Sequence, residues 1–183
     1  MDSQNNRKYP NILISGTPGV GKTSFTTLLQ SRISDEKNYQ MKNINLGEIV
    51  NEKKLYKNWN KEFNVPEFDE DMVCDYLENL IEEGGCLLDF HSAGFLPEDW
   101  VDLIVLLRCN NTELYDRLKE RGYNEKKITE NIECEIMEVT ADDVKENFNS
   151  EKIMELKSEV IDDMEKNLDI VMDKINELHY FEN

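Results

Sequence analysis

Along this chain, short apolar runs alternate with longer stretches whose apolar residues recur at helical spacing. The runs at 12–15, 43–46, 86–90 and 103–107 read as strands, with a weaker one at 153–156. The segment LIVLL at 103–107 is apolar at every position, the pattern of a strand covered by helices on both faces. Between the runs, Met72, Val73, Tyr76, Leu77, Leu80 and Ile81 share one helical face, with Asp69 placed to cap its start and Gly84-Gly85 to stop it. Asn110 with Glu113 reads as a capping pair for a helix ending near Arg121-Gly122. A further helix is expected to carry Ile132, Ile136 and Val139. The last helix has Met164, Leu168, Val171, Ile175 and Leu178 at heptad-like spacing, which suits a core-facing helix or a short coiled-coil seam, and Tyr180 and Phe181 are expected to finish its packing. Strands alternating with helices predict an α/β fold on a parallel sheet. With no repeat or low-complexity linker, the 183 residues fit one domain.

The first strand runs into GTPGVGKT at 16–23, followed by helical sequence. This is G-x-x-x-x-G-K-[ST] in the strand-to-helix setting that gives it physical meaning. Glycines at 16, 19 and 21 let successive backbone N–H groups curl around phosphate oxygens. The following helix points the positive end of its dipole at the same place. Lys22 should reach the β and γ phosphates of a nucleoside triphosphate, Thr23 should offer its hydroxyl to Mg²⁺, and Ser24 could add a phosphate contact.

A magnesium site needs a second anchor, and CLLDFH supplies Asp89 at the end of an apolar strand. An aspartate there could instead cap the next loop. His91, two residues on, could orient water or the γ-phosphate, or simply satisfy a local carbonyl.

Composition narrows the class. Acidic residues outnumber basic ones by 39 to 21, a net charge of −18. A field of that sign repels nucleic acid and anionic membrane and favours basic partners, and it also serves plain solubility. The four scattered cysteines form no C-x-x-C pair and read as small core residues in a reducing compartment. No apolar run is long enough to span a membrane, and the N-terminal MDSQNNRKYP has no signal-like apolar core, so a soluble intracellular protein is expected.

The destination of the terminal phosphoryl group depends on where cations stand. Arg121, Lys126 and Lys127 form a basic cluster in KERGYNEKK. Arg121 could stabilise charge on a transferring phosphoryl group from a mobile lid, or could merely complement a helix C-terminus. Arg108 is a weaker candidate; Lys53 and Lys54 could face an anionic acceptor or lie on a solvated face. No N-K-x-D guanine-reading motif follows a late strand, and Ser92 stands where a regulatory GTPase has glycine after its metal aspartate. ATP is therefore the expected nucleotide.

Taken together, PNILISGTPGVGKTSF, NLGEIVNEKKLY, CLLDFHSAGFLPEDW and ERGYNEKKITENIECEIMEV resemble the adenylate kinase isoenzyme 6 family, from about residue 10 to 139. The resemblance implies a nucleoside monophosphate kinase-like fold with a five-stranded parallel core, an AMP-binding insert at 45–68 and an ATP lid at 120–130. It implies that Gly19, Gly21, Lys22, Thr23 and Ser24 bind ATP phosphates, that Arg121 contacts ATP, and that Asp89 and His91 are a metal and hydrolysis pair. It further implies Mg²⁺-dependent transfer of the γ-phosphoryl of ATP to AMP with some ATP hydrolysis. A role in small-subunit ribosome assembly with a basic ribosomal protein partner, in nucleus and cytoplasm, also follows from it. An ATP-switched assembly factor with residual kinase activity is the alternative. Many relatives have an arginine shortly after the G-[DE]-[LI] of the AMP region, whereas Asn51 stands near that place here and cannot form a charged bidentate clamp. The match is poor near 157–161, which leaves the adenine contacts there unassigned.

Overall fold

The computed structural model describes residues 7–61, 65–178 and 180. Five parallel strands form its centre: β1 (Ile12–Ser15), β2 (Lys42–Asn45), β5 (Cys86–Asp89), β6 (Leu103–Arg108) and β7 (Ile153–Lys157), in the order β2-β5-β1-β6-β7. The parallel core expected from the alternation is present. Its central strands are buried on both faces, and Leu103 to Leu107 are all fully inaccessible. Alternation along them sorts side chains into two cores. Ile12, Ile14, Val105 and Leu107 face a layer built from α1 (Lys22–Lys37), α4 (Asn111–Glu120) and α7 (Ile161–Glu177). Leu13, Leu88, Ile104 and Leu106 face α3 (Glu70–Glu83) and α6 (Val139–Asn147).

Helix boundaries follow local chemistry. Asp69 caps α3 by accepting from Met72 N, and Asn110 caps α4 by accepting from Glu113 N. Leu168, Val171 and Ile175 of α7 are buried in the first core, so this stripe is core-facing. Tyr180 reaches Asp102 with its hydroxyl at 2.9 Å, while Phe181 lies outside the described residues. Of the four cysteines expected in the core, Cys86 and Cys109 are buried, whereas Cys74 and Cys134 are only half-buried.

Three readings need correction. The second strand ends at Asn45, and Leu46 opens a short helix, α2 (Leu46–Glu52), because the Asn45 side chain caps it by accepting from Glu48 N. Between α2 and α3 lies an antiparallel pair, β3 (Tyr56–Asn60) with β4 (Val65–Phe68), that the pattern did not announce; its residues are mostly exposed and leave no apolar alternation. Finally, Ile132, Ile136 and Val139 do not share one helix. Helix α5 (Glu125–Ile136) stops at Met137, Glu138 turns left-handed with φ 57°, and α6 begins at Val139. Ile136 and Val139 are consequently 58% and 50% exposed.

Candidate functional site

Parallel register brings the ends of three strands together. Asp89 pairs with Ile14 on one side and Asn45 on the other. The loop after β1 therefore curls over the same edge where Asp89 finishes β5.

The loop's curvature depends on missing side chains. Gly16 has φ 147°, and a methyl there would lie 2.5 Å from the Leu107 carbonyl oxygen. Gly19 has φ 104°, and a methyl there would meet Leu114 and Leu118 of α4 at 2.7 and 2.9 Å. Both positions are closed to any residue with a Cβ. Gly21 precedes α1, which has no side-chain cap, whereas α2 to α5 are each capped by an Asn or Asp side chain. The first N–H groups of α1 are thus kept for an anion in the loop.

Gly19, Gly21, Lys22, Thr23, Asp89, His91 and Arg121 line one cleft of about 140 Å³ with Asn45 and Gly47. Seven of the eight expected site residues are therefore brought together. Ser24 sits in the first turn of α1, exposed and outside this lining. Lys22 Nζ donates to the carbonyls of Gly16 at 2.7 Å and Thr17 at 3.2 Å. Burial lowers its pKa to about 8, with the Asp89 carboxylate working against that fall and the Arg121 charge adding to it. Thr23 Oγ1 donates to Asp89 Oδ2 at 2.6 Å. Asp89 is 4% exposed, and burial raises its pKa, opposed by the Thr23 hydroxyl and the Lys22 ammonium. A buried carboxylate destabilised in this way, beside a hydroxyl oxygen, fits a hard divalent cation.

His91 stands exposed at the cleft mouth, its ring tilted against Phe90 with centroids 4.7 Å apart. Crowding by the cleft walls, and then repulsion from Lys22, lower its pKa to about 4. The imidazole is therefore neutral at pH 7.

The loop cleft opens into a larger one of about 880 Å³ through shared walls at Pro18, Gly47, Phe90 and His91. Its far side is made by Val50 and Asn51 of α2, the β4 strand, Tyr123 after α4, and Lys127 and Cys134 of α5. Lys127 lies over the Tyr123 ring at 4.1 Å. Lys53 and Lys54 do not line this cleft. Lys53 pairs with its neighbour Glu52 at the surface, and Lys54 occupies a left-handed turn with φ 56°.

Arg108 is also placed away from the loop cleft. It is locked by Glu135 at 2.8 Å, Glu138 at 3.1 Å and Glu155 at 3.0 Å. Glu135 is the residue that pattern reading missed. It is 5% exposed, and it accepts from Thr17 Oγ1 in the loop, from Arg108 and from Cys109 N. Nothing in its spacing separates it from the surface glutamates around it. Arg117 is a second brace, donating to the carbonyls of Val20, Ser158 and Glu159. Glu135→Gln, which leaves Arg108 and Cys109 N facing a neutral side chain, is expected to lower unfolding free energy by about 2–3 kcal/mol. Urea denaturation checks this, and an unchanged midpoint would contradict it.

Residues 12–138 match the family described as an AAA domain. The adenylate kinase isoenzyme 6 homolog of Dictyostelium discoideum is 41% identical over 165 residues, covering 90% of this chain and 91% of that protein. This chain belongs to the adenylate kinase isoenzyme 6 family. The Schizosaccharomyces pombe homolog is 40% identical over 162 residues, 88% of this chain and 89% of its own. Among solved structures, a shikimate kinase from Bacteroides thetaiotaomicron superposes with TM-score 0.60 at 12% identity over 91% of this chain and 98% of that one. A gluconokinase from Sinorhizobium meliloti 1021 gives 0.58 at 13% identity, over 95% and 99%. At such identities these two carry the fold alone. Among the described residues, no helix is long and apolar enough to cross a membrane.

Proposed function

We propose that this family member is an ATP:AMP phosphotransferase that uses Mg²⁺ and hydrolyses some ATP. The supporting observation is the pair of joined clefts. A glycine-walled pocket that suits a triphosphate opens through Gly47, Phe90 and His91 into a space large enough for a nucleotide acceptor. On this reading the 45–68 insert and the 120–130 segment are the acceptor wall and the lid.

An oxygen of the AMP phosphate attacks the γ-phosphorus of ATP, the bond to the bridging β,γ-oxygen breaks, and two ADP result. The nucleophile is already an anion, so no protein base is required. The loop N–H groups and Lys22 hold the β and γ phosphates, and Arg121 meets charge on the transferring group. Thr23 and Asp89 are the residues that would hold the metal and its waters; bound Mg²⁺ supplies charge neutralisation and a template for the phosphates. Neutral His91, at the junction of the two clefts, orients water when no acceptor is present, which accounts for hydrolysis.

A coupled assay tests this reading. AMP is expected to raise ADP formation about tenfold or more over ATP alone. Absence of stimulation at every AMP concentration would refute the transferase claim.

One observation favours a second reading. The larger cleft holds Glu67, Glu70, Glu130 and Asp143, and among the described residues no arginine lines it. Asn51 donates to the Gly47 carbonyl at 2.9 Å. Weak AMP recognition would leave an ATP-switched assembly factor. Its partner, by family resemblance, would be a basic small-subunit ribosomal protein in nucleus and cytoplasm, and the net charge of −18 suits such a partner.

A further inference from the structure

Asn45 ends β2 and begins α2, beside Asp89 in the sheet. Its two amide atoms have separate duties. Oδ1 accepts from Glu48 N at 3.1 Å and caps α2. Nδ2 donates to Asp89 Oδ2 at 3.2 Å and points at Thr23 Oγ1 at 3.5 Å. The cap fixes which way the amide is turned, because only the oxygen can accept from Glu48 N. A donor therefore always faces the Asp89 carboxylate. The same helix continues to Val50 and Asn51, which line the larger cleft.

We infer that Asn45 is a positioning residue: it aims Asp89 at the metal side of the loop cleft and ties that aim to the start of the acceptor-side helix. The inference rests on the reading of Thr23 and Asp89 as the metal anchors. Held by the Thr23 hydroxyl alone, the carboxylate plane of Asp89 could still pivot. With the amide on Oδ2, one orientation is fixed before nucleotide arrives, as an outer hydrogen-bond partner commonly does for a metal ligand.

Two variants separate aiming from capping. Asn45→Ser keeps a capping oxygen and has no amide donor; Asn45→Ala has neither. Melting temperature is measured for each with ATP plus Mg²⁺ and with ATP plus EDTA, and kcat and KM are measured in parallel. Without ligand, Asn45→Ala is expected to melt about 2–4 °C below wild type and Asn45→Ser close to it. Both are expected to lose most of the magnesium-dependent rise in melting temperature and about tenfold in kcat. A wild-type magnesium increment and kcat in Asn45→Ser would overturn the inference and leave a cap alone. A wild-type protein with no magnesium increment at all would overturn the metal-site reading, and the inference with it.

Discussion

Lys22→Ala is expected to reduce ADP formation from ATP and AMP about 10³-fold, with melting temperature in the absence of nucleotide at pH 7 raised rather than lowered. Its ammonium lines the loop cleft, held over the Gly16 and Thr17 carbonyls. Removing one preorganised charged donor from a phosphoryl-transfer site costs about 10²–10³ in rate. Stability behaves differently. Burial holds the folded pKa near 8, below the ordinary lysine value of 10.5, so at pH 7 the charged lysine is a cost to the folded state. The unfolded chain binds more protons between those two values, and stability rises with pH across that window. Phosphate binding favours the charged form. Calorimetry in buffers of different ionisation enthalpy should therefore show proton uptake on ATP binding at pH 8.5–9, little at pH 6.5, and none at either pH in the variant. Near-normal turnover by Lys22→Ala would refute the assigned role.

Asp89→Asn carries the second large effect. Turnover with Mg²⁺ and ATP is expected to fall about 10²-fold, since the carboxylate is the anchor that the Thr23 hydroxyl cannot replace. The variant should nevertheless melt higher than wild type at pH 7 without ligand. Burial raises the folded pKa of Asp89 above 3.8, so its ionised form weakens the folded state at any pH above that raised value. The neutral amide removes that cost. The advantage should shrink as pH falls through the raised pKa, where the wild-type carboxyl takes up its proton. Melting curves taken from pH 7 downward, with steady-state rates at saturating Mg²⁺, check both halves. A variant that is slower and also less stable at pH 7 would contradict the burial argument.

What the chain disclosed before folding depended on how much each element's environment marks its residues. Strands buried on two faces, such as 103–107, have no polar positions and declare themselves. The glycine loop is legible because its backbone excludes every other residue at 16 and 19. The β3–β4 pair is half solvated, and Lys57, Asn58 and Trp59 leave no periodic trace. The end of α5 is invisible for another reason: a glutamate in a left-handed turn breaks the usual rule, and Glu138 is held there in part by Arg108 at 3.1 Å. Arg108 looked available to a phosphate because three carboxylates distant in sequence only converge on it after folding. Asn45 is hidden similarly, since a strand-end asparagine gains its second partner from β5.

Helix α5 touches both halves of the proposed chemistry. Near its start Lys127 borders the acceptor cleft, and near its end Glu135 grips Thr17 beneath the phosphate loop. Those positions lie about two turns, or roughly 12 Å, apart on a single rod. One rigid helix therefore joins a wall of the larger cleft to the residue that braces the phosphate loop from below.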